Sequence, residues 1–133
     1  FEFSYIKENP QLISTFFDTH LKRRAHRGET WFSLCQEIVA QLPSKVYISF
    51  DIDALDPTLC PNTGTPVPGG LTFDQATTLI ATVVESGRQI VGFDLNEVAE
   101  KAADENSGSD WDGNVGARIL FKLCGWTMLS NHT

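Results

Sequence analysis

Trp31, Leu34, Cys35, Ile38, Val39 and Leu42 recur at i, i+3, i+4, i+7, i+8 and i+11, the spacing of one helix face. Thr30 stands where an N-cap belongs, and Pro43 stops the helix. "KVYISF" (45–50) follows, a run of β-branched and aromatic residues that reads as a buried strand. Four prolines (57, 61, 66, 68) and three glycines (64, 69, 70) then predict a loop with neither helix nor ladder. Long loops inside compact domains are usually functional. Thr72-Phe73-Asp74-Gln75 has the form of a capping box, with Thr72 as N-cap and Gln75 reaching back. Ala76, Leu79, Ile80, Val83 and Val84 supply the apolar face, and Gly87 the stop. "QIVGFDL" (89–95) predicts a second buried strand. A polar stretch (99–114) reads as a mobile loop, and a last helix runs from about Asn114 to Cys124, burying Val115, Ile119, Leu120 and Leu123. Before residue 30 the pattern is poorer. Leu12 to Phe17 predicts a short strand, and "HLKRRAHRG" (20–28) an exposed basic loop or helix end.

Strand, helix, strand with short connections is a βαβ unit, so the strands should be parallel, with a right-handed crossover. Both then end on one edge of the sheet. That topology brings Asp51 and Asp53, after the first strand, beside Asp94 and Glu97, after the second. Open α/β sheets bind ligands at this carboxyl edge.

Composition narrows the function classes. A chain of 133 residues is about one domain, and 41% hydrophobic with 20% charged residues is ordinary for a globular protein. A net charge of −7 argues against nucleic acid, and no apolar run approaches a membrane span. The three cysteines (35, 60, 124) lie far apart and form no CxxC, which fits a reducing cytoplasm. The first residue is Phe1 and not Met, which suggests a processed chain or a fragment.

The acids in "SFDIDALDP" (49–57) are where the chemistry concentrates. Side chains alternate along an extended chain, so Asp51 and Asp53 should point to one side. Two like charges so close either share a proton or are neutralised by a cation, and the apolar strand upstream favours the cation. Asp56, before Pro57, reads instead as a turn cap. An EF-hand is excluded, because its fifth, sixth and twelfth positions hold Leu55, Asp56 and Asn62. A haloacid-dehalogenase-type phosphatase expects Thr or Val where Leu55 stands. A D-x-D glycosyltransferase remains open but has no second signal.

"SFDIDALDPTLCPNTGTPVPGGLT" (49–72) resembles the signature of the ureohydrolase superfamily: arginase, agmatinase and formimidoylglutamase. "GFDLNEVAE" (92–100) is similar to that family's second carboxylate-bearing element, and "WDGNVGARILFKLC" (111–124) to its closing helix. The resemblance covers roughly residues 30 to 125. It implies a three-layer α/β/α domain with a mainly parallel sheet, of which this chain is the C-terminal portion with about three strands. It also implies a hydrolase with two manganese ions that cleaves a guanidino or formimidoyl C–N bond and releases urea from arginine or agmatine. By the same resemblance Asp51 and Asp53 would be metal ligands, with Asp51 bridging the ions. Glu97 would pair with the cationic substrate, Thr65 would line its pocket, and Asp94 would support a ligand. The partners implied are a small cationic guanidino substrate and further copies of the chain.

The family's upstream elements, G-G-D-H and D-A-H-x-D, do not occur here. The histidines are His20, His26 and His132; the first two flank "LKRRA", whose positive charge opposes a metal. The isolated chain is therefore expected to be inactive. Formimidoylglutamase, a D-x-D phosphatase and a non-catalytic interaction subunit are the alternatives.

Overall fold

The computed structural model describes residues 2–99 and 110–132. The chain divides into two compact units, Phe1–Gln41 and Leu42–Thr133. The first holds three helices: α1 (Glu2–Glu8), α2 (Asp18–His26) and α3 (Trp31–Ala40). The basic segment is thus largely helix. Arg24 holds it to the next turn of chain, donating to Glu29 Oε1 and Oε2 at 2.6 and 2.7 Å and to Glu37 Oε2 at 2.5 Å. Its hydrogen bonds first, and then its charge, keep both glutamates below the usual carboxylate range, against the opposing effect of burial. α3 has its expected cap, since Ser33 N donates to Thr30 Oγ1 at 3.2 Å, and it buries Leu34, Cys35 and Val39. Leu12–Phe17 is not a strand. Leu12 and Ile13 donate to the Asn9 carbonyl in a turn, and Leu12 is exposed. β-Propensity without a partner strand gives no ladder.

The second unit carries the βαβ core: β1 (Lys45–Asp51), α4 (Phe73–Glu85), β2 (Gln89–Asn96) and then α5 (Trp111–Ser130). β1 and β2 pair in parallel, from Lys45 against Gln89 to Asp51 against Asn96. They are the two strands among the described residues, one fewer than the resemblance implied. The capping box at α4 is complete: Gln75 N donates to Thr72 Oγ1 at 3.1 Å, and Thr72 N to Gln75 Oε1 at 3.0 Å. Such a cap stabilises a helix by about 1 kcal/mol. Gly87, at φ +79°, ends it in the left-handed conformation that glycine adopts without strain.

α4 and α5 pack on β2 and on each other. Val46, Ile52, Leu55, Cys60, Ala76, Ile80, Val83, Ile90, Val115, Ile119 and Leu123 form the buried core of this unit. The strands are less buried than their composition predicts, with Tyr47 and Val91 more than half exposed. Helices flank β2 in the described residues, and a parallel strand is fully buried only when layers cover both faces. α5 starts three residues earlier and runs six residues further than expected. At its start Asp110 accepts from Gly113 N at 2.9 Å; at its end Ser130 and Asn131 satisfy the backbone N–H and carbonyl of Ile90. Leu120, expected inside, is 43% exposed because it falls off the face that carries Val115, Ile119 and Leu123. Of the polar stretch read as a loop, residues 111–114 belong to α5, and 100–109 lie outside the described residues. Among the described residues no helix is long and apolar enough to cross a membrane.

Candidate functional site

Parallel pairing brings the two strand ends together as the topology requires. Asp51, the last residue of β1, stands in register with Asn96, the last of β2, and Glu97 comes directly after it. The strand pleat does not set Asp53, however. Extended backbone ends at Asp51, and Ile52–Ala54 coil into a single 3-10 turn. Asp51 caps that turn, with its Oδ1 accepting from Asp53 N at 3.2 Å. The turn is fixed by Ile52 and Leu55, both fully buried. Burying two such side chains contributes roughly 3–6 kcal/mol. The expectation of alternating side chains through Asp53 is thus replaced by a capped turn that keeps both acids near the strand end.

The loop after the turn is more ordered than its prolines and glycines predict. Leu55 forms an isolated parallel bridge with Leu71, through Asp56 N to the Leu71 carbonyl and Leu71 N to the Ala54 carbonyl. Asp56 takes the turn-capping role expected of it: Thr58 N and Thr58 Oγ1 donate to its Oδ1 at 3.0 and 2.7 Å. The segment Thr63 to Thr65 then crosses between the two strand ends. Thr65 Oγ1 donates to Asp53 Oδ2 at 2.5 Å. Thr63, buried, donates from Oγ1 to the Glu97 carbonyl at 3.2 Å. A Cβ on Gly64 would sit 3.7 Å from Glu97 Oε2, so the Glu97 carboxylate lies over this glycine. Asp53, Thr65 and Glu97 are therefore gathered by one short segment. Glu97 itself is in the left-handed region, at φ 60°, a conformation that costs a non-glycine residue energy and is concentrated at functional sites.

Asp94 stands apart from that grouping. It lies opposite Ser49 on the paired strands and accepts from Ser49 Oγ at 2.8 Å, from Asn96 Nδ2 and from Tyr47. The Ser49 bond is the main cause holding its carboxyl below the usual range; the Asn96 and Tyr47 bonds add to this, and burial opposes it. The Tyr47 phenol is pushed up in turn, chiefly by its bond to Asp94.

Asp112 lies within the segment 111–124 that the sequence singles out, but no role is read for it there. Its carboxylate is fully buried and accepts from Asn62 N and Asn62 Nδ2, each at 2.9 Å. The preceding Trp111 donates from its indole Nε1 to the Thr58 carbonyl at 3.1 Å. Together they bind the proline-rich loop to the start of α5. The signal was present, since an acid in the first turn of an apolar helix is unusual on the buried side, but its partner lies fifty residues away. Cys60, also buried, sits among these acids. Burial first, then the charges of Asp112 and Asp53, push its thiol up, so it is a packed neutral group.

Among the described residues no three His, Cys, Asp or Glu side chains come together in a geometry that holds a metal ion. Asp51 and Asp53 are carboxylate donors of the right chemistry for a hard divalent cation, but two residues do not complete a two-ion centre. A cavity of about 510 Å³ lies elsewhere, lined by Phe73 of α4 and by Asn114, Ala117, Arg118, Phe121 and Lys122 of α5. It includes none of the carboxylates.

A family model described as the Arginase family matches residues 11–124, reaching further towards the N-terminus than the resemblance in the motifs. The chain is 52% identical over 88 residues to an agmatinase of Proteus mirabilis, covering 66% of this chain and 26% of that protein. It is 42% identical over 101 residues to the N(1)-aminopropylagmatine ureohydrolase of Thermococcus kodakarensis, covering 75% of this chain and 33% of that one. The chain thus spans a quarter to a third of the length of these curated relatives. Among solved structures, the native arginase of Bacillus caldovelox superposes with a TM-score of 0.70 at 23% identity, over 93% of this chain and 38% of that chain. A hypothetical agmatinase from Burkholderia thailandensis gives 0.62 at 27% identity, over 91% and 39%.

Proposed function

Because this chain belongs to the arginase family, we propose that the whole protein is a manganese-dependent hydrolase that cleaves a guanidino C–N bond and releases urea from agmatine or arginine. The observation that carries the reading is the grouping of Asp53, Thr65 and Glu97 by the single segment Thr63–Thr65. Glu97 presents an exposed carboxylate where both strands end. A guanidinium is a planar cation with a fork of N–H donors, and a carboxylate is its natural acceptor, with charge-assisted and potentially bidentate bonds. Thr65 keeps lone pairs free after donating to Asp53, so it can accept from the same substrate. Asp51 and Asp53 are proposed as carboxylate donors to divalent cations, with the remaining donors supplied by residues outside this chain. Asp94 is proposed to support that site from the strands, with Ser49, Tyr47 and Asn96 fixing its orientation.

The names of the curated relatives favour agmatine or an N-substituted agmatine, and a cationic chain that ends in a guanidinium is common to all of these. Self-association belongs to the same reading, since Tyr47 and Val91 leave apolar surface on the sheet. Two donor residues fall well short of the roughly eight to ten donor positions of a two-ion centre, so the 133-residue chain alone is expected to release no urea. The test is a substrate panel for the whole protein with added manganese: agmatine, arginine, formimidoylglutamate and a phosphate monoester. Urea from the first or second supports the reading. Formamide release identifies a formimidoylglutamase, phosphate release a phosphatase, and no turnover on any of them a non-catalytic subunit.

A further inference from the structure

Asp112 poses a question that helix stability does not answer. An acid in the first turn of a helix is favoured by the helix dipole, but it gains that benefit while exposed to water. Here the carboxylate is 0% exposed, and the ion pairs among the described residues involve other acids. A carboxylate taken from water without a cation is costly unless its oxygens are hydrogen-bonded. Both oxygens are satisfied by one residue, Asn62, through its backbone N–H and its side-chain amide. That arrangement recognises an asparagine at this one point of the loop. Trp111 adds a second grip four residues earlier, at the Thr58 carbonyl.

The three residues after Asn62 give the grip its meaning. They are Thr63, against the Glu97 carbonyl, Gly64, beneath the Glu97 carboxylate, and Thr65, on Asp53. Consecutive Cα atoms are about 3.8 Å apart, so a shift of 1 Å at Asn62 cannot be absorbed within one or two residues. We propose that Asn62 and Asp112 form a latch that sets where Thr63, Gly64 and Thr65 stand against Asp53 and Glu97. Asp112 is then a positioning residue for the reaction proposed above, on which this role rests; the latch itself does not depend on that reading.

The test uses a change of charge and its reciprocal in the whole protein. Asn62→Asp sets a second carboxylate against the buried one and breaks the latch by repulsion. Combining it with Asp112→Asn restores complementarity. The new amide at position 112 donates to the new carboxylate at position 62, while its oxygen still accepts from the backbone N–H there. Hydrogen exchange of residues 58–65 reads the latch, and kcat/KM for urea release reads the positioning. Asn62→Asp should lose protection in that segment and roughly a hundredfold in kcat/KM, the scale expected for displacement of about 1 Å at a reacting centre. The double variant should recover protection and come within about tenfold of the parent's kcat/KM, the scale of one altered hydrogen bond. Asn62→Ala, at an exposed position, should move both readouts in the same direction by less, and it serves if the charged variant does not fold. Unchanged protection in Asn62→Asp, or no recovery in the double variant, overturns the latch. Lost protection with unchanged kcat/KM overturns the positioning role. If the parent protein releases no urea, the functional reading fails, and the exchange measurement still decides the latch.

Discussion

Thr65 Oγ1 donates to Asp53 Oδ2 at 2.5 Å, joining the end of the first strand's turn to a loop residue twelve positions later. The carboxylate is thereby held in one direction through its Oδ2. Removing the donor while keeping the shape isolates this bond.

Thr65→Val should therefore lower kcat/KM for urea release about tenfold, the scale of one hydrogen bond to a charged group. Thr65→Ser keeps the hydroxyl and should recover most of the loss. A valine variant as active as the parent would remove this bond from the account.

Glu97 pairs a left-handed backbone with the carboxylate proposed to meet the substrate. Glu97→Gly relieves the strain but makes the unfolded chain freer, so stability should stay level or rise by about 1 kcal/mol. Turnover should be lost. Glu97→Gln keeps the strain and the shape and should raise KM, with manganese content unchanged. Denaturant unfolding, metal analysis and steady-state kinetics separate the three effects. Loss of metal in Glu97→Gln would instead make Glu97 a ligand.

Gly70 has no room for a side chain, because a Cβ there would run into the Leu55 carbonyl at the Leu55–Leu71 bridge. The obstacle is backbone and cannot swing away. Gly70→Ala should cost about 1–3 kcal/mol in unfolding free energy, as overpacking does. It should also disturb the turn that carries Asp53. An alanine variant of parental stability would show that the bridge is loose.

Asp94 gives the acid limb of stability a defined contributor. Its folded-state pKa is depressed, first by the Ser49 hydroxyl, so it stabilises the fold fully above the ordinary carboxylate value of about 4. That contribution is lost as pH falls through the lower folded value. Ser49→Ala brings the folded value closer to the unfolded one. The variant should be less stable at neutral pH, and the gap in melting temperature should narrow below about pH 4. An equal gap at pH 7 and pH 3 would show that the bond does not act through the charge of Asp94. Tyr47 has the opposite sign: its raised pKa stabilises below about pH 10 and is lost as pH rises through the folded value.

Periodicity and capping made much of this fold legible. Thr30 and Thr72 cap their helices, Gly87 ends α4, and the βαβ order gives parallel strands that bring Asp51 and Glu97 to one edge. The failures share a cause, since each depends on packing or pairing that the periodicity of the chain does not encode. Leu12–Phe17 has strand-like residues, and no strand among the described residues pairs with it. α2 is too polar to show an apolar face, and its Arg24 is tied to Glu29 and Glu37. Asp53 leaves the strand pleat because buried Ile52 and Leu55 draw the chain into a 3-10 turn. The role of Asp112 depends on Asn62, fifty residues away in the chain.

Manganese content and urea release of the whole protein, measured side by side for the parent and for Asp53→Asn, test the central claim most directly. The substitution keeps the shape and the reach to Thr65 while removing one negative charge. The account predicts that bound manganese falls and that urea release from agmatine or arginine drops by roughly a hundredfold or more, since even a residue that only supports a ligand is worth about 10- to 100-fold. Unchanged metal stoichiometry together with unchanged turnover would contradict it.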